Sequence, residues 1–116
     1  MSTQFVQLKN VEQMARGDQG KCLRYLKQFE ELVVLRVADL KEAMANKDRQ
    51  QVIRVVHSMK PQVLFFEVSE AAHPMNSIEM QGLEMLWTEM EDHCRFLAQR
   101  LEQAVVEIKS VISGLA

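Results

Sequence analysis

Apolar residues recur at alternating steps of three and four along much of the chain, which is the spacing of amphipathic helices. The first such stretch runs from Phe5 to Ala15, and Gly17 is placed to end it. Asp18 is placed to cap a second, much longer helix. The positions predicted to be buried are Phe5, Leu8, Val11 and Met14 in the first helix and Cys22, Leu26, Phe29, Val33, Val37, Leu40 and Met44 in the second. The pattern predicts a short N-terminal helix followed by a long one.

A third helix is predicted from about Arg49 to about Glu67. Asp48 and Gln51, three residues apart, resemble a capping box at its start. Its core-facing positions are Val52, Val56, Met59, Val63 and Phe66. This spacing by four and three places one face of the helix in the core.

The residues between the third helix and the last one are less regular. Ser69 is placed to cap a short helix that runs to Glu79. His73 and Pro74 lie either in the first turns of that helix or in a loop. Gly82 is the expected break before the final helix.

The last helix carries the longest regular pattern, from Leu83 to an expected end at Ser113, before Gly114. Its apolar positions are Leu83, Leu86, Met90, Cys94, Leu97, Leu101, Ala104, Ile108, Val111 and Leu115. Four amphipathic segments joined by short polar connections predict an all-α fold, an antiparallel four-helix bundle with a short additional N-terminal helix. Because 116 residues bury one core but are too few for two ordinary ones, we expect residues 1–116 to form a single domain.

The charge balance excludes one class of partner. The chain carries 14 Lys and Arg against 16 Asp and Glu, and it has no basic block that would neutralise a phosphate backbone, so nucleic acid is not expected. Cys22 and Cys94 lie far apart in no metal-like spacing, which favours free thiols in a reducing compartment. The first residues do not resemble a signal peptide, and no apolar segment approaches the length of a membrane span. We therefore expect a cytoplasmic protein without a membrane partner.

A proline interrupts the third apolar run beside a histidine. Pro61 follows Lys60 directly, and inside a helix it removes a hydrogen bond at a cost of roughly 3 kcal/mol. Counting about 100° per residue places His57 roughly 140° from Val52, the centre of the buried face, so His57 is expected to point toward solvent. Lys60 lies about 60° from His57 and one turn further along. Its ammonium can therefore reach a group attached to the imidazole.

Ile53 and Leu64 flank this pair and give it an apolar rim. In one interpretation, His57 is an ordinary surface histidine, and the two apolar residues pack beneath a neighbouring helix. In the other, the imidazole is a nucleophile that becomes covalently modified while Lys60 stabilises the added charge. The chain shows no paired zinc ligands, no nucleophile motif around a serine or cysteine, and no glycine-rich phosphate loop. We therefore expect neither a metal nor a cofactor.

The run His57-Ser58-Met59-Lys60 resembles the signature of the histidine-containing phosphotransfer (HPt) domain family of bacterial phosphorelays. That signature is His-x-x-Lys-Gly on the second long helix of a four-helix bundle. The resemblance extends over nearly the whole chain. It includes a short first helix that ends at residues 15–18, a long helix that carries Phe29, and Asp48 ahead of the histidine helix.

The resemblance implies that His57 accepts a phosphoryl group from an aspartyl phosphate on a receiver domain and passes it to another receiver. It implies that Lys60 helps to neutralise the phosphohistidine and that the rim of Ile53, Pro61 and Leu64 docks the receiver. The implied partners are response-regulator receiver domains and a hybrid sensor kinase. The metal and the acidic pocket would belong to the receiver, so the chain would be a carrier and not an enzyme. We also expect a monomer.

The sequence departs from the family pattern at two places. Pro61 stands where glycine is usual, although proline is compact on its outer side and frees the carbonyl of His57. Leu64 and Glu67 stand where small residues are usual. These departures bear on the identity of the partner more than on the chemistry of the histidine. The second hypothesis is an interaction module that docks a receiver or kinase and regulates it without being phosphorylated.

Overall fold

The computed structural model describes residues 3–115, and these residues form α-helices without any β-strand. The helices are α1 (Lys9–Ala15), α2 (Gln19–Ala45), α3 (Arg49–Phe65), α4 (Ala72–Gln81) and α5 (Trp87–Leu115). Helix α2 packs against α3 and α5, helix α4 also packs against α3 and α5, and α1 packs on α2. The all-α class predicted from the apolar spacing is confirmed.

Two helices begin at the caps that the sequence predicts. The side chain of Asp18 accepts a hydrogen bond from the backbone N–H of Lys21 at 3.1 Å, at the start of α2. Asp48 accepts one from the N–H of Gln51 at 3.0 Å, at the start of α3. Each contact satisfies an N–H that has no partner within its helix. These starts depend on residues three apart, which is why the sequence alone identifies them.

The first helix begins later than predicted, at Lys9 and not near Phe5. The backbone N–H groups of residues 4–6 donate instead to the carboxylate of Glu107 on α5, at 2.7 to 3.0 Å. The carbonyl of Phe5 accepts from the N–H of Ser69 at 2.8 Å. The N–H of Gln7 donates to the carbonyl of Phe66 at 2.8 Å, so residues 4–7 form a strap that is held between α5 and the connection from α3 to α4.

The connection from α3 to α4 also differs from the prediction. Helix α3 ends at Phe65, because Glu67 adopts a left-handed conformation with φ of 45°. Helix α4 begins at Ala72 and has no side-chain cap, so the predicted cap at Ser69 is wrong. His73 and Pro74 lie in the first turn of α4, where a proline costs no helical hydrogen bond.

The last helix begins later and ends later than predicted. Leu83 and Leu86 lie before Trp87 and are 69% and 67% exposed, so they do not extend the buried face. Helix α5 continues through Gly114 to Leu115 and does not stop at Ser113.

The core follows the predicted faces of α2, α3 and α5 closely. The largest buried side chains include Leu26, Phe29, Leu40, Met59, Met75, Ile78, Met90, Leu97, Leu101 and Ile108. The rings of Phe29 and Phe66 pack with centroids 4.3 Å apart, which joins α2 to the end of α3. Met14, predicted to face the core, is 53% exposed.

Within residues 3–115, the helices are too short or too polar to cross a membrane.

Candidate functional site

Helix α3 places His57 and Lys60 one turn apart on the side of the helix away from the core. The side chain of His57 is 76% exposed and that of Lys60 is 34% exposed. On the opposite side of α3, Val56 and Met59 are fully buried. The outward orientation that the helical phase predicts for His57 is present, and Lys60 lies beside it.

The structure adds a third residue, Glu79 of α4, which the sequence did not identify. Its Oε2 atom lies 2.9 Å from Nδ1 of His57. Its Oε1 atom lies 3.1 Å from Nζ of Lys60, as an ion pair without the alignment of a hydrogen bond. One carboxylate on α4 therefore bridges the imidazole and the ammonium on α3.

The environment keeps Glu79 ionised. The hydrogen bond with His57 lowers the pKa of the Glu79 carboxyl most, the desolvation caused by burial opposes it, and the Lys60 ammonium lowers it further. The net direction is downward from the ordinary value of 4.5. At neutral pH the site therefore holds a carboxylate between two potential cations.

An ionised Glu79 determines which nitrogen of His57 carries the proton. A carboxylate only accepts hydrogen bonds, so Nδ1 must be the donor at a separation of 2.9 Å. In the neutral imidazole, this leaves the lone pair on Nε2. Because the His57 side chain is exposed, that lone pair faces solvent and is available as a nucleophile.

The proline is accommodated within α3, which continues to Phe65. Pro61 has no N–H to donate to the carbonyl of His57, one turn earlier. Pro61 is exposed and lies at the edge of a groove of about 250 Å³ between α2 and α3. The groove is also lined by Tyr25 and Phe65, among other residues. An open apolar surface thus begins directly beside the His57 turn.

The two predicted rim residues, Ile53 and Leu64, differ in their exposure to solvent. Leu64 is 47% exposed. Ile53 is partly buried and packs against the core beside Gly82, where an added Cβ would lie 2.9 Å from its Cγ1 and Cδ1 atoms. Packing beneath a neighbouring element, one of the two interpretations for both residues, therefore applies to Ile53 and not to Leu64.

The cysteines do not contribute to this site. Cys94 is fully buried in the core, and the desolvation raises the pKa of its thiol to about 12. Burial also raises the pKa of Cys22, which lies on α2 near Glu12 and Leu115. Across the described part of the chain, His, Cys, Asp and Glu form no group of three or more that could hold a metal ion.

Glu79 carries no signal in the sequence that would link it to His57. It lies 22 residues away, on a helix whose start was not settled by the apolar pattern. A carboxylate facing a histidine from a different helix becomes visible only once the two helices are packed.

Comparison of the chain with family models, with curated proteins and with solved structures finds no match. The family resemblance of residues 57–60 therefore stays a prediction.

Proposed function

We propose that this protein is a phosphoryl carrier of a two-component phosphorelay. In this proposal, Nε2 of His57 accepts a phosphoryl group from an aspartyl phosphate of a receiver domain and later returns it to a different receiver. Helices α2 to α5 would form the antiparallel four-helix bundle that presents this histidine. The observation that carries the proposal is the hydrogen bond between Nδ1 of His57 and Glu79, which leaves an exposed lone pair on Nε2.

The proposed transfer uses each of the three side chains. Nε2 of His57 attacks phosphorus, a P–N bond forms, and the P–O bond to the receiver aspartate breaks with its electron pair going to the leaving carboxylate. The imidazole gains positive charge, and the carboxylate of Glu79 at Nδ1 stabilises that charge. Lys60, one turn away and paired with the same carboxylate, would neutralise the oxygens of the attached phosphoryl group. The receiver would bring the metal and the acidic groups, and docking would bring the reacting atoms together.

An interaction module without phosphorylation is the alternative, and one observation favours it. Lys60 is already paired with Glu79 at 3.1 Å, so part of its charge is neutralised before any phosphoryl group arrives. Under this alternative, the exposed surface around Pro61 and Leu64 would bind the receiver, and His57 would not be modified.

The deciding experiment measures phosphoryl transfer from receiver domains that carry a radioactive phosphoryl group. The carrier proposal predicts an acid-labile label on the wild-type protein and none on the His57→Gln variant. His73→Gln and His93→Gln are matched controls, because these histidines lie on α4 and α5, away from Glu79, and both variants should be labelled normally.

The same variants separate the two functions. Label on His57→Gln, or no label on the wild type with any receiver of the same cell, would rule out the carrier. If His57→Gln still binds and regulates a receiver as the wild type does, the interaction module is supported.

A further inference from the structure

A second apolar surface lies on α2 and α5, away from the His57 turn on α3. It is a groove of about 360 Å³, and we define the α2–α5 groove by five apolar residues that line it, Val34, Val37, Ala38, Val105 and Val106. Val37 and Val105 form its buried floor. Val34 and Val106 stand at its edges and are 48% and 68% exposed. Both helices therefore expose apolar side chains to water along this groove.

Two ion pairs join the two helices here: Lys41 and Glu102 line one end of the α2–α5 groove, and Glu30 and Lys109 lie about one helical turn beyond its other end. Lys41 lies 3.3 Å from Glu102 at one end, and Glu30 lies 3.8 Å from Lys109 at the other. The charged and apolar residues share one face of each helix, because their positions repeat at helical spacing. These positions are 30, 34, 37, 38 and 41 on α2 and 102, 105, 106 and 109 on α5. At one end α2 carries the negative Glu30 and α5 the positive Lys109. At the other end α2 carries the positive Lys41 and α5 the negative Glu102.

We propose that the α2–α5 groove binds a second copy of this chain, so that the monomer expected from the sequence associates into a dimer. In a two-fold dimer, the same surface meets itself. An axis parallel to the helices would place Glu30 opposite Lys109 of the second copy and Lys41 opposite Glu102. An axis across the helices would place Glu30 opposite Lys41 of the second copy, and Lys109 opposite Glu102. Either arrangement sets unlike charges against each other around an apolar centre, so the charge pattern is complementary to itself.

The size of the surface sets the strength of the association. From residue 30 to residue 41 a helix rises by about 16 Å, and two adjacent helices are about 20 Å wide, which gives roughly 300 Å² per copy. A stable complex covers about 800 Å² per partner. The dimer is therefore weak and forms with increasing protein concentration. It leaves both copies of His57 exposed, because His57 and Glu79 belong to α3 and α4, so the proposal is independent of the phosphorelay function.

The first test is sedimentation velocity of the full chain from about 10 μM to about 1 mM, a range that covers weak dimers. The wild type is expected to move from 13.4 kDa toward twice that mass. Val106→Glu is expected to stay monomeric, because it places a carboxylate in the apolar centre of the interface. Leu86→Glu is the matched control, since Leu86 is 67% exposed but lies outside the groove, and it should associate like the wild type.

The second test reverses one charge. Lys41→Glu would face a carboxylate of the second copy in either arrangement, so the dissociation constant is expected to rise about tenfold at low salt. Lys9→Glu is the control, because it breaks an exposed ion pair with Glu67 elsewhere on the protein. Circular dichroism shows whether each variant is folded. A wild type that remains monomeric at about 1 mM, or folded Val106→Glu and Lys41→Glu variants that dimerise like the wild type, would overturn the proposal.

Discussion

Replacing Glu79 by glutamine tests whether this carboxylate determines the chemistry of His57. The substitution keeps the size of the side chain and removes its charge. A carboxamide can both donate and accept hydrogen bonds, so it no longer forces the proton onto Nδ1 of His57. The proton is then free to move to Nε2, which would remove the lone pair that the proposed transfer requires.

The expected size of the effect follows from the contacts of Glu79. Its hydrogen bond to His57 is 2.9 Å long and gains strength as the imidazole becomes positive during transfer. A hydrogen bond to a charged group contributes about 1.5–3 kcal/mol, so the transfer rate is expected to fall about ten- to a hundredfold. The effect on folding is smaller, about 1 kcal/mol, because His57 is 76% exposed and water screens the contact.

Two measurements check this prediction. Single-turnover transfer from a labelled receiver gives the rate, and nitrogen NMR of the imidazole shows which ring nitrogen carries the proton. Glu84→Gln is the matched control, because Glu84 is an exposed carboxylate in the connection between α4 and α5. If Glu79→Gln transferred phosphate at the wild-type rate with its proton still on Nδ1, the role assigned to Glu79 would be refuted.

Three further predictions concern stability. Because the pKa of Glu79 is lower in the folded state than its ordinary value of 4.5, its charge stabilises the fold above that pH and the contribution is lost as the pH falls through the folded-state pKa. Urea unfolding of wild type and Glu79→Gln should therefore differ at pH 7 and converge in acid, and an equal difference at both would contradict this. Gly82→Ala should cost about 1–3 kcal/mol in thermal unfolding, because its Cβ would clash with the backbone carbonyl oxygen of Ile78 and with the side chain of Ile53; an unchanged melting temperature would contradict this. Glu107→Gln should speed amide hydrogen exchange at residues 4–6, which donate to this carboxylate, and unchanged exchange would mean that other contacts hold the strap.

The parts of the fold that the sequence predicts are those set by residues within one or two turns of each other. Asp18 and Asp48 cap helices through N–H groups three residues on, so their roles follow from local spacing. The outward position of His57 follows from its phase relative to Val52, which is fully buried. Local spacing therefore identifies α2, α3 and most of α5 with their buried faces, and two of the three residues at the site.

The features that the sequence misses depend on contacts between distant parts of the chain. The start of α1 is displaced because the N–H groups of residues 4–6 bind Glu107, about a hundred residues away, and the carbonyl of Phe5 accepts from Ser69 and not from a residue one helical turn later. Glu79 meets His57 only through the packing of α4 on α3. In both cases a carboxylate on one helix satisfies donors on another segment, and neither periodicity nor a short motif contains that information.

The geometry around His57 also limits the direction from which a partner can approach. Glu79 covers the side of the imidazole that faces α4, and Ile53 is partly covered beside Gly82 at the end of that helix. On the other side, Leu64 is 47% exposed, and Pro61 opens onto the groove between α2 and α3. For the proposed carrier, a receiver would therefore contact the surface formed by Pro61, Leu64 and this groove. Pro61 is compatible with such a contact, because it presents an apolar ring to the receiver and has no N–H that would need a hydrogen-bond partner.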